Sequence, residues 1–308
     1  MFSTSINQNK STPDYFIPPS NTPITDYYIV QANNYLSVDP IQANMSYQKK
    51  VAALNALADL PKEVLSQIGL KAASPPSGVH SVSGDKAKLG DFYCPDMIID
   101  CLQRHDIAII AGDQVLDFGC SSGRVIRILH SFLPDARWYG CDPRESSINW
   151  ASENFPGIHF FCSNEKPPLD NFADSTLTGA YAISVWSHFS ELLALRWFDE
   201  MARIIRPGGF LIFTTHGYRS VIHFAEVKKS MSREKAYERL LSLQKWQYHF
   251  HQYPDNLPGM EDLNTSDWGI AFAETTWYEK HLSKQWKFLE YMPGRLMANQ
   301  DVYMLRRH

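Results

Sequence analysis

From Asp91 onward this chain has a rhythm, and that rhythm narrows its fold more than any other feature. Short apolar runs alternate with stretches of helical period. The runs are QVLDF, RWYGCD, IHFFC, GAYAISV and FLIFTT. Between them lie SGRVIRILHSF, ESSINWASEN and SELLALRWFDEMARII; in the last, Leu192, Leu193, Trp197, Met201 and Ile204 fall on or near one helical face. Strand–helix alternation of this kind predicts a parallel sheet with helices on both faces. Two further strands, QWKFLEYM and QDVYMLRR, flank the turn PGRLMAN. The expected architecture is therefore an α/β, Rossmann-like sheet of seven strands, closed by an antiparallel pair. The segment RPGG (206–209) reads as a tight turn feeding the fifth strand.

Around this core the domains are expected as follows. Residues 1–88 form an N-terminal arm and helical extension, and 89–217 the core. Residues 218–282 form an inserted cap, and 283–308 complete the sheet. Residues 1 to about 40 are polar and rich in Pro, Ser and Asn, which predicts a loose arm packed through Tyr27, Tyr28 and Tyr35. QANMSYQKKVAALNALADL predicts a helix, Pro61 starts a second, and KAASPPSGVHSVSGDKAKLG is a linker.

With 308 residues and a formal charge of −4, the chain has no broad basic field for nucleic acid. It has no run of 18 apolar residues, so no membrane span is expected, and the N-terminus lacks an apolar export signal. Five scattered cysteines without a CxxC pair argue for reduced thiols and a cytoplasmic protein. His249 and His251 are two apart without an evident third ligand, so no metal is expected.

The chemistry concentrates after the first strand, in VLDFGCSSGR. In an open α/β sheet, ligands sit beyond the carboxyl ends of the strands. Gly119 and Gly123 let backbone approach a ligand, but no G-x-G-x-x-G exists, which weighs against a nicotinamide oxidoreductase. Asp117 at the strand end would repel a pyrophosphate and favours a cation or hydroxyls. Asp142 ends the second strand, where a carboxylate can take both ribose hydroxyls. One nucleoside without pyrophosphate fits S-adenosylmethionine. The plainer alternative is that Asp117 caps the next helix and Asp142 opens a turn.

VLDFGCSSGRV, WYGCDPRESSINWASENFP, YAISVWSHF and RIIRPGGFLIFTTHG, in this order, resemble class I S-adenosylmethionine-dependent methyltransferases. The resemblance is nearer to bacterial members with SV-x-x-H and a Q-D-V final strand, often associated with glycan or secondary-metabolite pathways. It implies that Asp117, Gly119, Cys120, Ser121 and Gly123 surround the methionyl group and ribose, and that Asp142 holds the ribose hydroxyls. Asn164, beside Ser163, would face adenine; Ser184, Val185 and Trp186 would line the sulfonium end. Tyr93, ahead of the core's first helix, either contacts the methionyl group or is a core aromatic. Ser121 stands where the family has a middle glycine, and it fits if its φ is negative.

The expected reaction is O-methylation of a sugar or small secondary metabolite, a glycan or small-molecule acceptor. N-methylation and a non-catalytic cofactor-binding homologue remain alternatives. His188 and His216 are the candidate general bases, since imidazole has a suitable pKa. Trp246, Tyr248, Phe250, Tyr253 and Trp268 make the cap the expected determinant of specificity. The apolar side of its charged helix can pack on the core or on a second subunit, which leaves a homodimer open.

Overall fold

The computed structural model describes residues 18–36, 39–57, 60–70, 79, 90–254 and 265–308. The linker read between 71 and 90 lies almost wholly outside them, as does the cap stretch 255–264. Four helices come first: α1 (Pro23–Tyr35), α2 (Tyr47–Leu57), α3 (Lys62–Ser66) and α4 (Gly90–Arg104). The core alternates β1 (Gln114–Phe118), α5 (Arg124–Phe132), β2 (Arg137–Asp142), α6 (Glu145–Asn154), β3 (Ile158–Cys162), β4 (Leu177–Ala182), α7 (Glu191–Ile204) and β5 (Ile205–Thr215). Then come α8 (Tyr218–Ile222), α9 (Arg233–Trp246), β6 (Tyr248–Gln252), β7 (Gly269–Ala273), α10 (Thr275–Leu282), β8 (Trp286–Leu296) and β9 (Gln300–Arg307).

The main sheet runs β3-β2-β1-β4-β5-β9-β8. The first five strands are parallel, and β9 is antiparallel to both β5 and β8. This is the α/β, Rossmann-like sheet of seven strands, closed by an antiparallel pair, that the rhythm of the chain predicts. The two faces follow from the pleat. On β5, Phe210 and Ile212 join the core beneath α1, α4 and α5, while Leu211 and Phe213 join the core beneath α7 and α10. On β9, Val302 and Met304 take the first face and Tyr303 and Leu305 the second. Burying side chains of this size contributes about 1.5–3 kcal/mol each.

Helix α7 shows how local sequence sets an element. Ser190 caps it, its hydroxyl accepting from the Leu193 amide at 3.3 Å. Leu193, Trp197, Phe198 and Met201 recur at helical spacing and are buried. Leu192, read from sequence as near this stripe, instead stands 59% exposed, one position off the buried face.

Three further readings change. The supposed loose arm contains α1, with Ile24, Tyr28, Ile29 and Ala32 buried and Tyr27 and Tyr35 exposed. Its stabilising partner is distant in sequence. The buried Asp96 carboxylate of α4 accepts from the Ile24 and Thr25 amides at 2.9 and 3.2 Å, at the N-terminus of α1. The RPGG segment does not separate from its strand: β5 begins at Ile205 and accommodates those residues as a bulge opposite Leu177–Gly179, with Gly208 at φ 79°. Within the region read as a cap, α10 packs Trp277, Tyr278 and Leu282 into the main core. A small separate core of Val221, Ala236, Leu243 and Phe272 holds α8, α9 and β7.

Candidate active site at the carboxyl edge of the sheet

Parallel pairing brings the ends of β1, β2, β3, β4 and β5 to one edge, with Asp142 opposite Cys162 and Asp117 opposite Tyr181 in register. The antiparallel hairpin β6–β7 lies against that edge. It bridges to His216 through Phe272 and to Phe189 through Trp268.

The β1–β2 half is built from carboxyls and a left-handed loop. Gly119, Ser121 and Gly123 have φ of 76°, 48° and 78°. Ser121 thus adopts the left-handed conformation that the sequence reading assigned to glycine alone, contrary to the negative φ expected of it. The loop's own hydrogen bonds account for this. The Gly119 and Cys120 amides donate to the Cys141 carbonyl at 2.8 and 2.9 Å, and the Ser121 amide donates to Asp142 Oδ2 at 2.9 Å. These fix the chain up to the amide of the strained residue, and the Gly123 amide, donating to the Cys120 carbonyl at 2.9 Å, closes the turn beyond it. A Cβ at Gly119 would sit 2.4 Å from Val185 Cγ2, so the β1 loop packs directly on the end of β4.

Asp142 is 7% exposed and accepts from Ser121 N with one oxygen and from Arg144 N, at 3.0 Å, with the other. Burial pushes its pKa up, opposed by those two amides. A carboxylate offers about four acceptor positions, so two remain for hydroxyl donors. Asp117 is buried beneath the loop, and burial pushes its pKa up to about 8. The like charge of Asp142 adds to this, while the Tyr181 hydroxyl and the Ile126 amide at the start of α5 oppose it. Both plain roles, helix start and turn opening, are therefore present in the geometry. What the pair retains is acceptor capacity at Asp142 and a desolvated acid at Asp117 that a cation would ionise. Those features fit a ligand carrying a diol and a positive charge, as S-adenosylmethionine does.

Asn164 stands exposed past the end of β3, two residues beyond the strand. The Ser163 amide donates to the Asp142 carbonyl at 3.2 Å, tying that end to β2. Cys120 is buried, with its thiol 3.5 Å from the Ser121 carbonyl. Two other residues turn away from the edge. Trp186 is 1% exposed, packs on Phe198 and Phe213, and donates its indole N–H to the Ala194 carbonyl at 3.3 Å. Tyr93 lies within α4, fully buried, with its hydroxyl donating to the Arg295 carbonyl. That placement is the core aromatic that the sequence left open.

The β4–β5 half is built from hydroxyls, an amide and imidazoles. Ser184 also has a positive φ, 64°. Its amide donates to Thr214 Oγ1 at 2.7 Å. His188 Nδ1 lies 3.0 Å from the Gly269 carbonyl oxygen and 2.7 Å from the Tyr253 hydroxyl. A carbonyl only accepts, so Nδ1 carries the proton and the lone pair is on Nε2. Burial lowers the pKa of His188, which keeps the ring neutral near pH 7. His216 is 5% exposed and lies 6.4 Å from His188 between ring centres. Its Nδ1 is 3.2 Å from the Ala271 carbonyl and its Nε2 is 3.3 Å from the amide nitrogen of Gln300. Burial, reinforced by His188, pushes its pKa down to about 3. Both ring nitrogens of His216 are thus engaged, whereas Nε2 of His188 remains to take a proton.

Gln300, buried at the start of β9, was not among the residues singled out from the sequence, although its Q-D-V motif was. The cap aromatics also divide. Tyr248 is in the main core with its hydroxyl on the Phe189 carbonyl, Trp246 is 65% exposed, and Tyr253 and Trp268 lie beside His188 and Phe189. His249 pairs with Ser242 at 3.1 Å.

A family model described as a methyltransferase domain matches residues 115–209, the run from β1 into β5 that frames this edge. Among curated proteins, the chain is 29% identical over 108 residues to a phthiotriol/phenolphthiotriol dimycocerosates methyltransferase of Mycobacterium ulcerans, covering 34% of this chain and 38% of that one. It is 24% identical over 166 residues to a malonyl-[acyl-carrier protein] O-methyltransferase of a Marinomonas species, covering 53% and 55%. Among solved structures it resembles the PH0226 protein of Pyrococcus horikoshii, with a TM-score of 0.48, 14% identity and 75% and 95% coverage. It also resembles a SAM-dependent methyltransferase of Aquifex aeolicus, with a TM-score of 0.45, 13% identity and 77% and 100% coverage. Of the two curated relatives, the chain thus spans little more than a third of one and just over half of the other.

Proposed function

We propose that the chain is an S-adenosylmethionine-dependent methyltransferase acting on a hydroxyl of a sugar or small secondary metabolite. The observation that carries this reading is the paired carboxyl edge: Asp117 and Asp142 at adjoining strand ends, spanned by the left-handed loop Gly119–Gly123. The methyltransferase-domain match over the same strands supports it. The bound cofactor would supply an electrophilic methyl group on a sulfonium. In this reading the protein's own residues hold, orient and desolvate the partners. Asp142 takes the ribose hydroxyls and Asp117 faces the cationic end.

His188 is the base that takes the acceptor's proton through Nε2, with the Gly269 carbonyl holding its tautomer. A carboxylate acceptor, such as a malonyl group, has no proton to lose. An imidazole poised in this way therefore favours an alcohol. The cap hairpin β6–β7, which brings Tyr253 to His188, sets which acceptor fits.

The test is a calorimetric titration with S-adenosylhomocysteine, followed by incubation with methyl-labelled cofactor and fractionated glycans and metabolites. Binding and a labelled product with an alkali-stable methyl ether are expected. No binding overturns the cofactor assignment. A label on nitrogen or a labile ester overturns the hydroxyl acceptor.

A further inference from the structure

The last strand of the sheet reaches the site through one side chain. Gln300 is 5% exposed and sits where β9 begins, beside β5. Its Oε1 accepts from Thr214 Oγ1 at 2.7 Å. Its Nε2 donates to Ser184 Oγ at 2.7 Å and lies 3.3 Å from His216 Nε2. The network has one consistent direction. The Ser184 amide donates to Thr214 Oγ1, so the Thr214 hydroxyl proton is free to go to Gln300 Oε1. That leaves both amide protons of Gln300, one for Ser184 and one for His216 Nε2.

His216 already donates from Nδ1 to the Ala271 carbonyl. Turning the Gln300 amide over would present an oxygen to Nε2. That arrangement calls for a second ring proton and hence an imidazolium. The groups whose charge bears on this ring are His188 after β4, and His223 and Lys228 on the segment following α8, all cationic or able to become so. A buried imidazolium facing them is unfavourable.

We propose that Gln300 is a positioning residue of the acceptor half of the edge: its amide fixes His216 as a neutral imidazole protonated on Nδ1 and ties that ring to the left-handed turn at Ser184. Its functional meaning rests on the methyltransferase reading. The two rings lie 6.4 Å apart between centres, so a neutral His216 spares His188 a nearby positive charge that would weaken it as a base. Ser184 Oγ is also 3.3 Å from Ser187 Oγ, so the same amide stiffens the turn that leads to His188.

The decisive experiment is a long-range nitrogen–proton NMR titration of the full chain between pH 5.5 and 8, with neither cofactor nor acceptor present. In the wild-type protein His216 should show the Nδ1–H tautomer and should not titrate. An Nε2–H tautomer, or titration within this window, overturns the proposal without any variant being needed. In Gln300→Glu, a carboxylate oxygen replaces the donor, and His216 should titrate within or above the window, while a His216 that stays neutral overturns it. In Gln300→Leu, with cofactor and acceptor supplied, kcat should fall about tenfold while KM for the cofactor changes less than about threefold; an equal loss in both also overturns it. Because the titration needs no ligand, its outcome is independent of whether the chain transfers methyl groups.

Discussion

The two halves of the carboxyl edge reach the same charge state by opposite routes. At the β1–β2 end, burial pushes Asp117 up to about 8, so near pH 7 it is mostly protonated. At the β4–β5 end, burial pushes His216 down to about 3, so near pH 7 it is deprotonated. Desolvation disfavours whichever form is charged. The halves differ in what a ligand can then do. A cation beside Asp117 restores its carboxylate. Nothing comparable acts on His216, whose lone pair already faces an amide donor. One half is responsive to a positively charged ligand, and the other is set in advance.

The largest expected effect separates the halves. His188→Ala should lower kcat by about 10²–10⁴ while cofactor affinity stays nearly constant, as expected for loss of a general base. Single-turnover rates across pH check this, and a wild-type rate at neutral pH would remove His188 from the mechanism.

The second prediction concerns Asp117. If a cation ionises it, binding releases close to one proton at pH 7, so below pH 8 affinity grows by up to about tenfold for each unit by which the pH is raised. Calorimetry in buffers of different ionisation heats measures the proton count, and a count near zero places the cation elsewhere. The same raised pKa has a stability consequence of definite sign. The folded state holds this proton up to about pH 8, whereas the unfolded chain loses it near pH 4. Stability from this group is therefore full below pH 4 and lost as pH rises through 8, and Asp117→Asn should flatten that slope.

Third, Asp142→Ala should weaken cofactor binding by at least about tenfold, since each hydrogen bond to a charged acceptor contributes about 1.5–3 kcal/mol. Unchanged affinity would reduce Asp142 to the anchor of the Ser121 and Arg144 amides. The smallest effect is expected for Ser121→Gly. Relief of the left-handed strain, less the added chain entropy of glycine, should give a net gain of up to about 1 kcal/mol in denaturant unfolding. A loss would mean that the serine's own contacts outweigh the strain.

These contrasts also explain what could be read in advance. The sheet was legible because period and punctuation are local: β1, β2 and β3 coincide with the runs QVLDF, RWYGCD and IHFFC. The edge residues of those strands follow from strand ends alone. What escaped depended on partners remote in sequence. Helix α1 has a weakly patterned sequence and is fixed by Asp96, more than 70 residues away. Ser121 takes a positive φ because Cys141 holds the two residues before it and Asp142 holds its own amide, which no single-residue preference reveals. Trp186 follows a strand end but rotates into the core, where Phe198 and Phe213 make room. Gln300 lies 86 residues from Thr214, and a polar residue opening a strand gives no sign of which neighbour it will meet.

The interior position of β9 has a kinetic consequence. Strand β5 is completed by residues 300–307, after a long excursion through α8, α9, β6, β7, α10 and β8. Until that pairing forms, the run Phe210–Thr215 presents an open, apolar strand edge, the kind of surface on which chains add to one another. Closing it requires a long loop, so its formation is slow relative to the local βα units. The late step that protects this edge from self-association is also the one that delivers Gln300 to His216. The concentration of chains still able to aggregate should therefore fall in step with the concentration of completed sites.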